Sequence, residues 1–154
     1  MSNSSNIRHG RHCVFKIHVH LVFVTKYRKS VFDKQALETL QKVFSDVCLS
    51  FDAKLNGFNG EGDHVHLLID YPPKIALSRL VNSLKGVSSR LLKKEHPRFS
   101  SLYYKGKLWS PSYFAASCGG APLSIIQEYI KNQKSPVVSS VETTCHTNRR
   151  IHPP

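Results

Sequence analysis

Residues 53–71 read AKLNGFNGEGDHVHLLIDY, and the fold turns on how this stretch divides. Residues 53–58 form a short extended run, 59–63 (NGEGD) are residue types that turn a chain, and 64–71 are again apolar and branched. The stretch therefore reads as a β-hairpin. Side chains at i and i+2 of a strand leave the same face with roots ~6.5–7 Å apart, so His64 and His66 can lean together onto one ion at ~2.0–2.2 Å. The same triplet occurs at His18-Val19-His20. That copy sits within a run that is apolar on both faces, where a histidine can be a packed, hydrogen-bonded core residue. The second copy follows a glycine-bearing loop, where functional groups tend to collect. The residues alone favour His64/His66 only mildly, and satisfied structural histidines remain open for both copies.

Outward from the hairpin, residues 13–24 (CVFKIHVHLVFV) alternate and are rich in β-branched and aromatic types, which predicts a strand. A basic turn, TKYRKSVF, follows. Asp33 can cap a helix reaching about residue 50, with Ala36, Leu37, Leu40, Val43, Phe44, Val47 and Cys48 on its buried face. After the hairpin, Pro72 and Pro73 are expected to begin a helix that runs to about residue 95 and stops before Pro97. Leu77, Leu80, Val81, Leu84, Val87 and Leu91 form its apolar stripe. The next stretch, 98–117, reads as irregular, aromatic and basic, with one strand around 113–117. GGAP at 119–122 opens a last helix to about residue 134. The order of elements predicts a single α+β domain over residues 12–135, an antiparallel sheet packed with helices in a ferredoxin-like sandwich. Residues 1–11 are expected to be a flexible N-terminus and 136–154 a mobile tail.

Composition bounds the function. The chain has 154 residues, enough for one domain to bury its own core. No apolar run approaches the ~20 residues of a membrane-spanning helix, and the polar N-terminus lacks a secretory signal, so a cytoplasmic protein is expected. Cys13, Cys48, Cys118 and Cys145 form no Cys-x-x-Cys pair, which argues against a zinc ribbon and predicts reduced, apolar fillers. Lys and Arg number 22 against 10 Asp and Glu, a formal charge of +12, and such a field attracts nucleic acid.

Two basic groups suit that partner. Lys26, Tyr27, Arg28 and Lys29 make a compact turn able to contact phosphate and stack on a base. Arg79, Arg90 and Lys93 share one helical face, with Lys85 beside it, and as a group they make a candidate DNA track. In the last helix Tyr129 and Gln133 are four residues apart and lie one turn above another. If that face meets the histidine strand, the Gln133 carbonyl oxygen could join the ion while the Tyr129 hydroxyl approached whatever the ion holds. Half-buried packing of Tyr129 is the alternative.

GDHVHLLI at 62–69 resembles the His-hydrophobic-His signature of the HUH endonucleases. CGGAPLSIIQEYIKNQ at 118–133 resembles the tyrosine helix of the single-tyrosine transposases carried by small insertion sequences. HLVFVTKYRKSVF at 20–32, SLKGVSSRLL at 83–92 and LWSPSYF at 108–114 extend the likeness, in the same order, over about residues 12–134. The resemblance implies that His64, His66 and Gln133 bind a divalent cation, Mg²⁺ or Mn²⁺, and that Tyr129 is the nucleophile. In the family's first strand only the histidine matching His20 is familiar, so His18 is a local departure. The resemblance further implies single-stranded DNA hairpins at element ends as substrate, a 5′-phosphotyrosine intermediate, and a homodimer whose active site the partner's tyrosine helix can complete. Two rival readings are a non-catalytic single-stranded nucleic-acid-binding module and a zinc hydrolase with Glu61 or Asp63 as general base, although the helical His-Glu-x-x-His pattern is missing.

Overall fold

The computed structural model describes residues 7–103 and 106–118. The expected last helix with Tyr129 and Gln133, and the expected tail at 136–154, lie outside the described residues. In chain order the elements are β1 (Arg8–His9), β2 (Val14–Phe15), β3 (His18–Val24), α1 (Lys34–Ser50), β4 (Lys54–Gly60), β5 (His64–Asp70), α2 (Leu77–Glu95), α3 (Arg98–Leu102) and β6 (Phe114–Ser117). A single 3₁₀ turn, Lys26–Arg28, leaves β3. Four strands form one sheet in the order β4-β5-β3-β6, antiparallel throughout, with β1 and β2 as a separate ribbon. From β3 onward this is the α+β sandwich that the sequence predicts, with the split strand order of a ferredoxin-like sheet.

The sheet has two dissimilar faces because side chains alternate along each strand. Val19, Leu21 and Phe23 of β3 and Val65, Leu67 and Ile69 of β5 join one core with the apolar stripes of α1 and α2. His18, His20, His64 and His66 occupy the alternate positions. In the register of β3 on β5, Val22 opposes His66 and Val24 opposes His64, so all four histidines leave the other face. A bulge between Leu55 and Gly57 rephases β4, which lets Leu55 and Phe58 both reach the core side although they are three residues apart.

Local chemistry explains where the elements begin and end. Asp33 caps α1, its carboxylate accepting from Ala36 N at 2.8 Å. The expected start of α2 at Pro72–Pro73 is corrected to Leu77. Pro73 forces Pro72 away from helical geometry, and a turn closed by Ile75 N to Pro72 O, 3.2 Å, intervenes. The strand expected over 13–24 breaks at Lys16–Ile17, where β2 leaves to pair with β1. Within the irregular stretch, residues 98–102 form the one-turn helix α3, which buries Phe99 completely. Of the cysteines expected to be fillers, Cys48 is buried, and burial pushes its thiol up to about 12, while Cys13 is exposed.

Among the described residues no helix is long and apolar enough to cross a membrane. The placement of the core makes a test. Leu67→Ala, at a fully buried position of an inner strand, is expected to cost about 2–5 kcal/mol in urea unfolding, whereas Leu49→Ala, on the open side of α1, changes stability by less than about 0.5 kcal/mol. Equal costs would contradict the assignment of the two helix-facing layers.

Candidate metal centre and nucleic-acid interface

β5 holds His64 and His66 almost fully out of solvent, at 1% and 0% exposure. Each ring is anchored through one nitrogen. His64 Nδ1 lies 2.7 Å from Asp63 Oδ1, and the ring donates to that carboxylate. His66 Nδ1 lies 3.0 Å from His20 Nε2. The second contact follows from register: His20 opposes Leu68, so His66 is its diagonal neighbour across the strands, a spacing long side chains bridge. Nε2 of both rings is buried with no hydrogen-bond partner among the described residues. An orphaned buried polar atom is costly unless something takes it.

The two rings fit a shared cation. Their centroids are 5.1 Å apart and their planes perpendicular. An ion ~2.1 Å from each nitrogen, with a ligand angle between right and tetrahedral, would set centroids roughly 4.6–5.3 Å apart. Among the described residues no group of three or more His, Cys, Asp or Glu side chains is placed to hold a metal ion, so a third donor would be of another kind or lie elsewhere. Gln133 lies outside the described residues. The first triplet is arranged differently. His18 Nε2 is 3.9 Å from Asp70 Oδ2, and Asp70 in turn takes Arg8 at 3.3 Å, while His20 turns to His66. His18 Nε2 is likewise buried without a hydrogen-bond partner among the described residues, but its neighbour His20 is engaged with His66, so the two rings of the first copy are not arranged as a pair.

Burial sets the electrostatics. It lowers His20, and it lowers His66 to about 4, assisted by the neighbouring His20 and His64 rings. Neutral imidazole is the form a metal ion needs. For Asp63, burial pushes the carboxyl up, but hydrogen bonds from His64 and Arg28, with their charges, outweigh it and hold the pKa below its ordinary value.

The basic turn stands directly beside this site. Arg28 Nε donates to Asp63 Oδ2 at 3.1 Å, so Arg28, Asp63 and His64 form one chain of contacts. The hairpin loop and the turn are also clamped through the backbone: Thr25 N donates to Asp63 O, and Val31 N and Phe32 N to Gly62 O. A Cβ at residue 62 would run into Ser30 Oγ and press on Ser30 Cβ, so the loop and the turn approach this closely because residue 62 is glycine. Tyr27 and Arg28 both take positive φ, 66° and 54°, a strained pair of the kind that collects at functional sites. Tyr27 is 75% exposed, with the Lys26 and Lys29 ammoniums 5.3 and 5.8 Å from its ring.

The residues expected along α2 divide into two groups. Arg79 and Arg90 are exposed. Lys85 instead donates to Ser110 O at 2.8 Å and Ser112 O at 3.0 Å and lies over Phe23 and Tyr113. Burial, with Lys107 nearby, lowers its pKa to about 8. Lys93 donates to Gly106 O at 2.8 Å. Both lysines thus pin the 106–113 segment to α2. Between the two runs a cleft of about 810 Å³, lined by Asn82, Gly86, Arg90, Lys107 and Tyr113 among others, borders both helix and segment. Arg79 lies apart from it, in a smaller cleft with Lys74 and Asp52. The sequence offers Asp63 only as a general base in the zinc-hydrolase reading and does not place His20 against His66; the Asp63-His64 adjacency is the signal for the first contact, and strand pairing supplies the second.

A family model described as "Transposase IS200 like" matches residues 13–133. The ISDra2 transposase TnpA of Deinococcus radiodurans is 29% identical over 127 residues, covering 82% of this chain and 91% of that protein. The transposase for insertion sequence element IS200 of Salmonella typhimurium is 27% identical over 134 residues, 86% of this chain and 85% of that protein. A crystal structure of a candidate transposase from Deinococcus radiodurans superposes with a TM-score of 0.68 at 30% identity, covering 84% of this chain and 99% of the other.

The depressed His66 gives a pH dependence with a definite sign. In the unfolded chain the ring titrates near 6.5 and in the folded chain near 4, so between these values the unfolded state binds the extra proton. Metal-free protein is expected to have the full contribution above pH 6.5 and to lose roughly 1–3 kcal/mol of it as pH falls to 4. Urea unfolding of the chain and of His66→Asn over this window checks it: the variant's profile should be shallower, and parallel profiles would contradict the assignment.

Proposed function

The chain belongs to the IS200-like transposase family, whose members cut and rejoin DNA, and on that premise we propose that it acts on single-stranded DNA hairpins at element ends, through Tyr129 and a divalent cation held by His64, His66 and Gln133. The observation that carries this reading is the pair of buried, unpartnered Nε2 atoms on neighbouring rings, each ring fixed by its other nitrogen. When bound, Mg²⁺ or Mn²⁺ supplies Lewis-acid polarisation of a non-bridging phosphate oxygen, undiminished by the neutral ligands.

The chain's own residues supply the rest. Tyr129 Oη attacks phosphorus, the new O–P bond forming as the bond to the 3′ oxygen breaks. This leaves a 5′-phosphotyrosine and a free 3′-hydroxyl, with the phenol proton lost and one gained by the leaving oxygen. One phosphodiester replaces another, so the step reverses to rejoin strands without an energy source. Since a chain offers one such tyrosine, exchange of two ends calls for a homodimer. Tyr27, with the cations of Lys26, Arg28 and Lys29, offers a stacking and phosphate surface beside the histidines, and Arg79 and Arg90 extend the positive field along α2. Lys85 and Lys93 act on DNA indirectly, by holding the wall of the cleft.

A single-stranded end fragment incubated with the protein and Mn²⁺ is expected to yield a denaturation-resistant protein–DNA adduct. Tyr129→Phe should lower its yield by at least about 100-fold, as expected when a covalent nucleophile is removed. Persistence of the adduct in that variant would assign the nucleophile elsewhere. Binding without any adduct in either protein would favour a non-catalytic binding module.

A further inference from the structure

We propose that Asp63 and His20 are positioning residues that hold His64 and His66 in the Nδ1–H form, so that both Nε2 lone pairs are presented together to the cation. The inference rests on the reading of His64 and His66 as ligands. A neutral imidazole carries one proton on one of two nitrogens, and only the bare nitrogen can ligate a metal; the partner of the other nitrogen decides which it is.

For His64 the decision is made by a carboxylate. Asp63 is an acceptor only, so at 2.7 Å from Oδ1 the proton must sit on His64 Nδ1. Arg28 occupies the other carboxylate oxygen at 3.1 Å, which fixes the direction in which Oδ1 points. The hairpin backbone reinforces this, because Asp63 O is itself tied to Thr25 N at 2.9 Å.

For His66 the decision falls to another histidine. The 3.0 Å contact between His20 Nε2 and His66 Nδ1 contains one proton, which can be assigned in two ways. If His20 donates, the proton on His66 moves to Nε2, a buried N–H with no acceptor among the described residues. If His66 donates, Nε2 is left as a lone pair beside that of His64, and one cation satisfies both. The His20 and His66 ring planes lie 28° apart with centroids 5.3 Å apart, so the two rings meet edge to edge and the contact runs nearly in the plane of each ring, as an N–H···N hydrogen bond requires. The assembly thus uses two chemically different acceptors, a carboxylate from the hairpin loop and an imidazole from β3, to prepare two adjacent ligands on β5.

Long-range ¹H–¹⁵N spectra of the metal-free full chain read the tautomers directly. Both His64 and His66 should show a protonated Nδ1 and an unprotonated Nε2. Asp63→Ala should shift His64, and His20→Ala should shift His66, toward the other tautomer or a mixture. Asp63→Asn and His20→Gln, which retain an acceptor at about the original reach, should recover most of the original signature and guard against a variant that fails to fold. Calorimetric titration with Mn²⁺ should show affinity weakened about 10–100-fold in the alanine variants and largely restored in the two amide variants. Tautomers that are unchanged in the alanine variants would overturn the proposal. Native protein that shows the expected tautomers but binds no Mn²⁺ would overturn the ligand reading on which it rests.

Discussion

The antiparallel register of β3 on β5 is the constraint on which the rest of the molecule depends. It opposes Val22 to His66 and Val24 to His64, and it sends Leu21, Phe23, Val65 and Leu67 to the helix side. A slip of one residue would carry the histidines of one strand into the core and separate His20 from His66. The six core side chains of the two strands, with exposures of 0–4%, make such a slip prohibitive. The energy that folds the protein is therefore also what assembles the histidine face, and the diagonal His20–His66 contact is a geometric result of the pairing.

A second constraint joins this face to the positive turn. Gly60 and Gly62 let the hairpin loop close against α1 and the turn, where side chains at either position would collide with Leu37 or Ser30. Through that closeness Arg28 reaches Asp63, and Asp63 reaches His64. In the proposed function, the surface that meets phosphate and the group that orients a metal ligand are then neighbours in one hydrogen-bonded chain. The strained Tyr27–Arg28 backbone is sustained by the same network, with Thr25 Oγ1 bonding Lys29 O and Lys26 N bonding Leu108 O.

Much of this was legible in the sequence, because alternation and helical periodicity report directly on burial. The Asp33 cap, both long helices, the hairpin and the existence of β3 follow from residue type and spacing, whereas the run around His18 and His20, apolar on both faces, did not tell which of its faces turns to the core. The start of α2 was misplaced because proline suits the first turn of a helix, whereas two consecutive prolines constrain each other to an extended entry. The bulge in β4 was written in the three-residue step from Leu55 to Phe58, and α3 is too short to show any period. Charge was easier to count than to allocate. Lys85 and Lys93 look like Arg90 in the sequence, yet backbone carbonyls engage their ammonium groups. The paired histidines could be picked out by spacing, and Asp63 stands beside His64 in the sequence, but His20 gained meaning only when strand pairing brought it to Nδ1 of His66. Tyr129 and Gln133 lie outside the described residues, and their roles rest on the resemblance of their helix.

The central claim is that one cation sits between the two rings of β5. Crystals of the protein soaked in a manganese salt, with anomalous differences collected above the manganese edge, test it most directly. The account predicts a single strong peak within bonding distance, ~2.0–2.3 Å, of Nε2 of both His64 and His66. A peak between His18 and His20, or none near β5 in a crystal that has taken up manganese elsewhere, would contradict it.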